Sequence, residues 1–245
     1  MLSIQRKKYI KSLHQKKNRE ETQEFLVEWA KNLLELFASN FEIIEAFVSS
    51  DFYLKNKDTL KNINYSIEEI KDIENISTIE SNNAWIAVVR QKENEPLFLE
   101  KNEFIVVMDE IKDPWNLWTI IRACDWYWIK KIILSENSVE FYNPKVISAS
   151  MWSFSRVLPF YVDLEVYFRW IESNIFWAFL DGKNVHNMVF PKEWFIIIWN
   201  ESRWISENIQ KFVNNKITIP RFWQAESLNA WVATSIILDN LRRNK

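Results

Sequence analysis

Two stretches of the carboxyl-terminal half carry polar side chains in positions suited to binding chemistry. Residues 196–205 read Ile-Ile-Ile-Trp-Asn-Glu-Ser-Arg-Trp-Ile, and residues 219–233 read Ile-Pro-Arg-Phe-Trp-Gln-Ala-Glu-Ser-Leu-Asn-Ala-Trp-Val-Ala. Each starts from a short apolar run, breaks into a polar turn and continues with helical spacing. Glu201 in the first, and Ser227 and Asn229 in the second, therefore gather where strands end. Open α/β sheets place their ligands there. A third stretch, Asp113-Pro114-Trp115-Asn116 and on to Arg122, follows the apolar run Phe104 to Met108 in the same manner. These groups hold a ligand by hydrogen bonds and charge, not through a metal. Cys124 is the only cysteine and His14 and His186 are the only histidines, which leaves no zinc-ligand set and no disulfide framework.

Each of these residues also suits a purely structural role. Asp113 and Pro114 fit an N-cap and the first position of a helix, and Ser227 fits an N-cap. Glu201 would sit favourably near a helix start, and Arg122 suits an exposed helix face. Asn116 and Arg122 are six residues apart, about 600° of helical rotation, so they do not share a helix face. For both to reach one ligand, Asn116 should lie in the loop before the helix settles.

The elements that must position these groups follow from the apolar pattern. Short strands are expected at Phe25–Val27, 41–48 and 86–89, with helices over 4–17 and 30–37 and another within 63–76 that carries Glu68 and Glu69 on its polar face. Residues 91–103 are polar and contain Pro96, a linker composition. Beyond it, strands at 104–108, 131–134, 157–162, 175–180, 195–198 and 216–219 alternate with helices, the last at 227–241. The fold class is α/β, with a parallel sheet in the second half. The expected organisation is a small α/β domain over 1–95, a linker at 96–103 and a second domain over 104–245.

Net charge is −2, so bulk charge does not announce a nucleic-acid binder. Residues 1–19 are different: they hold seven basic side chains, among them Arg6, Lys7, Lys16, Lys17 and Arg19, and no acidic one. Such an arm suits phosphate contact and equally suits a solvated helix face. No apolar run reaches membrane-spanning length and no signal-peptide pattern opens the chain, so the expected setting is cytoplasmic.

Glu226-Ser227-Leu228-Asn229 at the start of a helix resembles the third signature of the SpoU/TrmH family of RNA ribose 2′-O-methyltransferases. Residues 199–204 resemble its second signature, Gly-Asn-Glu-x-x-Gly, with Trp199 and Trp204 at the glycines. Residues 113–122 resemble the first, Asp-Pro-x-Asn-x-Gly-x-x-x-Arg, with Trp118 at its glycine. Lys17-Asn18-Arg19 followed by Phe25 to Ala30 is similar to the amino-terminal substrate-binding domain of many such enzymes, with Trp29 where that domain has glycine. The resemblance covers essentially the whole chain. It implies a trefoil-knotted carboxyl-terminal domain, a homodimer, S-adenosyl-L-methionine as cofactor and RNA as partner, ribosomal RNA being favoured over transfer RNA. It further implies a cofactor pocket lined by the backbone at Trp199, Ile219 and Leu228, with Leu180 to Gly182 nearby. Asn116, Arg122, Glu201, Ser227 and Asn229 match the polar signature positions. Arg122 would stabilise a developing alkoxide or grip the target phosphate, because a guanidinium does not readily become a base.

The tryptophans bear on this directly. The chain has one glycine and 14 tryptophans, so the two types together make 15 of 245 residues, close to the usual glycine share of about 7%. Tryptophan also falls on the family's glycine positions at 115, 118, 152, 199 and 204. Most of these letters are therefore expected to stand for glycine, as when UGA codons read as glycine are translated as tryptophan. The rival expectation takes the letters literally: an inactive RNA-binding relative whose cofactor pocket is plugged by indoles.

Overall fold

The computed structural model describes residues 2–28, 33–79, 82–199, 206–224 and 226–243. Its elements run α1 (Ile4–Ser12), α2 (Lys16–Thr22), β1 (Glu24–Glu28), α3 (Leu33–Ala38), β2 (Ile43–Ser49), α4 (Ser50–Leu60), β3 (Tyr65–Glu68), α5 (Ile70–Ile76) and β4 (Trp85–Arg90). There follow β5 (Phe104–Asp109), α6 (Pro114–Trp126), β6 (Lys131–Ser135), α7 (Pro144–Ala149), α8 (Ser153–Arg156), β7 (Leu158–Val162) and α9 (Leu164–Phe168). The chain ends with β8 (Ile175–Asn184), a 3₁₀ turn (Val185–Asn187), β9 (Trp194–Trp199), α10 (Glu207–Gln210), β10 (Asn215–Thr218) and α11 (Ala230–Arg243). Two compact units divide these elements: residues 1–93 with 140–155, and residues 94–139 with 156–245.

In the first unit a four-stranded sheet has the order β1-β4-β2-β3, antiparallel except for the β2–β3 pair. The runs Phe25-Leu26-Val27 and Ile86-Ala87-Val88-Val89 are buried without alternation, as strands covered on both faces must be. Ile10 and Leu13 pack with Leu26, Phe47, Ile73 and Val88 to form one side of this core. The ring of Phe25 meets Tyr142 at 4.6 Å and Phe154 at 6.2 Å, so the segment 140–155 belongs to this core. The helix expected within 63–76 is there as Ile70–Ile76, but Glu68 and Glu69 are not on its polar face. Tyr65–Glu68 pairs with β2 as a strand that buries Glu68, and helix α5 begins only after Glu69. Tyr65 and Ile67, an aromatic and a β-branched residue two apart, favour the pleated form. Helix α4, started by Ser49 accepting from the Phe52 amide at 3.3 Å, was not foreseen.

In the second unit all six strands are parallel, in the order β10-β8-β9-β5-β6-β7. The chain steps outward from β5 through β6 to β7, then crosses to build the other half of the sheet. The order reverses where β9 meets β5, the type of position at which open sheets leave a crevice beyond their strand ends. Strand β10 pairs with Phe176 and Trp177 of β8, then resumes opposite Lys183 and Asn184. Residues 178–182 of β8 are thereby left out of that ladder. Gly182 sits at the return: a Cβ there would come within 2.7 Å of the Ile217 carbonyl carbon and 2.8 Å of its nitrogen. Only a residue without a side chain allows the two strands this approach.

Candidate active site

The β8 detour opens a cavity of about 230 Å³ at the strand ends, walled by Ala178 and Phe179 from β8, Trp199 from β9, Ile219 and Pro220 after β10, the stretch that contains Ser227 and Leu228, and Ala233 of α11. Trp199, Ile219 and Leu228, the expected cofactor residues, thus meet on one cavity, with Ser227 beside them. Leu180 lies on the same detour. Gly182 serves the contact between β8 and β10. Glu201 and Trp204 fall outside the described residues, as does Trp29.

Helix α6 starts as Asp113 and Pro114 dictate: the Asp113 carboxylate accepts from the Trp115 amide at 2.9 Å, and Pro114 occupies the first turn, where no amide donor is needed. Asn116 is therefore in the helix, a correction to the expectation that it lies in the preceding loop. It is buried, and Asn229 Nδ2 donates to its Oδ1 at 3.2 Å. The same Asn229 side chain accepts from the Trp231 amide at 3.0 Å, and the Ala233 amide donates to the Asn229 carbonyl at 3.0 Å. Asn229, not Ser227, is thus the cap of the last helix, which begins at Ala230. One amide side chain ties the start of α11 to the first turn of α6.

Arg122 is on another face of α6, as the 600° rotation requires. It is exposed, its guanidinium carbon 5.8 Å from the Trp118 ring centre, and no hydrogen bond or ion pair to a described residue holds it. The structure therefore joins Asn116 to Asn229, and Ser227 to Trp199, Ile219 and Leu228, and leaves Arg122 facing solvent.

Asp109 was missed by sequence reasoning, although a carboxylate directly after a wholly apolar strand was a visible signal. It is buried at the end of β5, and its Oδ2 accepts from the Ser206 amide at 3.1 Å. Burial pushes its carboxyl above the usual range, and the bonds from Ser206 offset part of that rise.

The basic residues of 1–19 divide into two groups. Arg19 is a correction: it is buried, with Nε donating to Glu140 at 2.8 Å and Nη1 to the Leu13 carbonyl at 2.7 Å, so its charge is spent inside the first unit and does not face RNA. Arg6 pairs with Glu45 at 2.6 Å and Lys7 with Asp72 at 2.6 Å. Lys8, Lys11, Lys16 and Lys17 are exposed, the last two only in loose pairs with Glu20 and Glu21 on the same helix. Among the described residues no group of three or more His, Cys, Asp or Glu side chains could hold a metal ion, and no helix is long and apolar enough to cross a membrane.

Comparison with known proteins bears on this arrangement. Residues 103–239 match the SpoU rRNA Methylase family, and residues 5–94 match the MRM3-like substrate binding domain. The chain is 26% identical to the 23S rRNA (guanosine(2553)-2'-O)-methyltransferase RlmP of Bacillus subtilis, over 97% of this chain and 96% of that protein. It is 27% identical to the tRNA (guanosine(18)-2'-O)-methyltransferase of Aquifex aeolicus, over 62% of this chain and 74% of that one. Among solved structures, a TrmH-family RNA methyltransferase from Porphyromonas gingivalis superposes with a TM-score of 0.88 at 26% identity, covering 100% of both chains. An AdoMet-bound rRNA methyltransferase from Sinorhizobium meliloti shares the fold at a TM-score of 0.88 and 22% identity, over 100% of this chain and 97% of that one.

Proposed function

We propose, for a chain that belongs to the SpoU rRNA Methylase family, that it transfers a methyl group from S-adenosyl-L-methionine to a ribose 2′-hydroxyl of ribosomal RNA. The observation that carries this reading is the cavity beside the β8 detour of the parallel sheet, where Trp199, Ile219, Ser227 and Leu228 meet. Its apolar walls suit an adenine ring, and Glu226 and Ser227 offer acceptors for ribose hydroxyls. Bound there, the cofactor supplies a methyl group on a positively charged sulfur. The protein's task is alignment, because the hydroxyl is a weak nucleophile and must approach in line. The Asn116–Asn229 bond ties the start of α11, which borders the cavity, to the first turn of α6, and Arg122, exposed on α6, would stabilise the oxygen's developing charge or hold the adjoining phosphate. A trefoil knot in the second unit, a homodimer and a cytoplasmic setting belong to the same reading.

Two findings favour ribosomal over transfer RNA. The B. subtilis relative, named for 23S rRNA, spans nearly the whole chain, whereas the A. aeolicus relative, named for tRNA, spans 62%. The domain matched by residues 5–94 is of a substrate-binding kind, and Lys8, Lys11, Lys16 and Lys17 present exposed charge on it.

The reading includes glycine at most tryptophan positions. Trp128 supports it: this residue has φ of 60°, the left-handed conformation that glycine adopts without strain. Trp177 and Trp194 bury indole nitrogens that have no hydrogen-bond partner among the described residues, at a cost a glycine would not incur. Trp199 puts its side chain on the wall of the cavity that a cofactor would fill. That last placement is also what favours the rival, an inactive relative with a plugged pocket.

Calorimetry with S-adenosyl-L-methionine separates the readings, using the chain as written and a chain with glycine at all fourteen positions. Binding by the glycine form alone is expected. Equal binding by both refutes the glycine account, and no binding by either folded protein refutes the methyl-transfer reading. Peptide mass spectrometry of the native protein, or the codons at these positions, gives the residue identities independently.

A further inference from the structure

We infer that Phe222 is a stacking platform for a base of the substrate RNA, at or beside the nucleotide whose ribose enters the cavity. The inference rests on the methyl-transfer reading and on glycine at position 223, both part of the function proposed above. Phe222 follows β10 and lines the cavity. It is 91% exposed, more than any other large apolar side chain among the described residues, which puts its ring at the cavity mouth. No aromatic ring or cation of a described residue packs against it. Phe179, the other phenylalanine of this cavity, differs: the Trp177 ring lies 4.6 Å from it and the Lys216 ammonium 5.0 Å. Phe179 is built into the wall, whereas Phe222 offers its faces to whatever approaches.

The ring has a fixed root. Thr218, the last residue of β10, is in register with Asn184 of β8, and Pro220 restricts the backbone two residues before Phe222. An exposed phenylalanine adds no buried area to the fold, and covering it with a ligand removes that area from water. Three ligands compete for it. The first is the cofactor's adenine, but Ala178, Phe179, Ile219 and Ala233 already wall an apolar place for that ring farther in. The second is another copy of the chain. Protein partners cover contiguous apolar surface, and here Arg221, Gln224 and Glu226 are exposed and polar. The third, single-stranded RNA, fits both features: unpaired bases stack on aromatic rings, and the Arg221 charge suits a flanking phosphate. The 2′-hydroxyl must reach a methyl group inside the cavity, so the base on the same ribose comes to rest at the mouth.

The test uses the full chain with glycine at the fourteen tryptophan positions as parent, and Phe222→Ala, Phe222→Leu and Phe222→Trp within it. Methyl transfer from tritiated S-adenosyl-L-methionine to ribosomal RNA purified from cells lacking the gene gives kcat and KM. Filter binding gives affinity for the same RNA, and calorimetry gives cofactor affinity. In Phe222→Ala the RNA affinity should fall, and the KM for RNA rise, by about tenfold or more. Cofactor affinity should not change. Phe222→Trp should restore RNA binding, and Phe222→Leu, apolar but not planar, should not. Unchanged RNA affinity in Phe222→Ala overturns the inference, as does a leucine that serves as well as phenylalanine. A loss of cofactor affinity in Phe222→Ala also overturns it, by placing the ring on adenine. So does a shift from dimer to monomer on size-exclusion chromatography, which places the ring on a second copy. The side chain is exposed, so all variants should melt with the parent. A parent that neither binds cofactor nor methylates the RNA refutes the functional reading instead, and the filter-binding comparison still decides whether Phe222 meets RNA.

Discussion

Replacing Trp128 with glycine should stabilise the protein, whereas the same replacement two residues earlier, at Trp126, should destabilise it. Helix α6 ends at Trp126, and Trp128 lies just beyond with φ of 60°. Its amide donates to the Asp125 carbonyl at 3.1 Å and the next amide, of Ile129, to the Cys124 carbonyl at 2.7 Å, a pair of bonds that closes a helix through a left-handed residue. A side chain in that conformation costs about 1–2 kcal/mol. Glycine removes this cost and adds about 0.4–1 kcal/mol of unfolded-state freedom. Little packing is at stake, because Trp128 is 72% exposed and its one cation contact, Lys130 at 5.4 Å, is worth about 0.5 kcal/mol at such a site. The net gain is about 0.5 kcal/mol. Trp126 is 84% exposed but helical, so Trp126→Gly loses about 0.5 kcal/mol of helix propensity. The variants should therefore differ by about 1 kcal/mol, or about 2–4 °C in thermal midpoint. Thermal unfolding followed by circular dichroism reads this difference. If Trp128→Gly melts no higher than Trp126→Gly, the argument from backbone conformation is wrong.

Gly182→Ala should destabilise by about 1–3 kcal/mol, since the new methyl meets main-chain atoms of Ile217 at 2.7–2.8 Å and no flexible side chain can give way. Urea unfolding tests it, and an unchanged midpoint would show that β8 and β10 have room to part. Asp72 supplies a pH dependence: the hydrogen bond from Lys7 holds its carboxyl below the ordinary range. The unfolded chain therefore takes up that proton first as pH falls. The advantage of the parent over Asp72→Asn should be complete above about pH 4 and shrink below it. An advantage that does not change on acidification contradicts the assignment.

What could be read from the sequence was whatever depends on neighbours in the chain. Phe104 to Met108 announced a buried strand because no polar residue interrupts it, and Asp113-Pro114 announced a helix start because both residues act within one turn. Ile219 and Leu228 could be placed together only because the residues around them resemble a family signature; periodicity alone did not join them. Long-range partners were not readable. Arg19 looked like one more base in a basic arm, and only its meeting with Glu140, 121 residues away, shows its charge to be spent internally. Asn116 was placed in a loop to let it share a ligand with Arg122, whereas its partner is Asn229 and its position helical. Helix α4 escaped notice because polar residues dominate it and its dihedrals break at Asn56. Asp109 was passed over because its partner lies beyond residue 205.

The membership of residues 140–155 in the first compact unit affects how this protein can be dissected. A gene cut after codon 93 would give an amino-terminal fragment in which Arg19 has lost its carboxylate and Phe25 its aromatic neighbours. Its complement would carry Glu140, Tyr142 and Phe154 with nothing to cover them. Both fragments are therefore expected to be less stable than the same residues in the whole chain, which thermal unfolding of the fragments would show. Domain shuffling that grafts the amino-terminal part elsewhere must carry the later loop along.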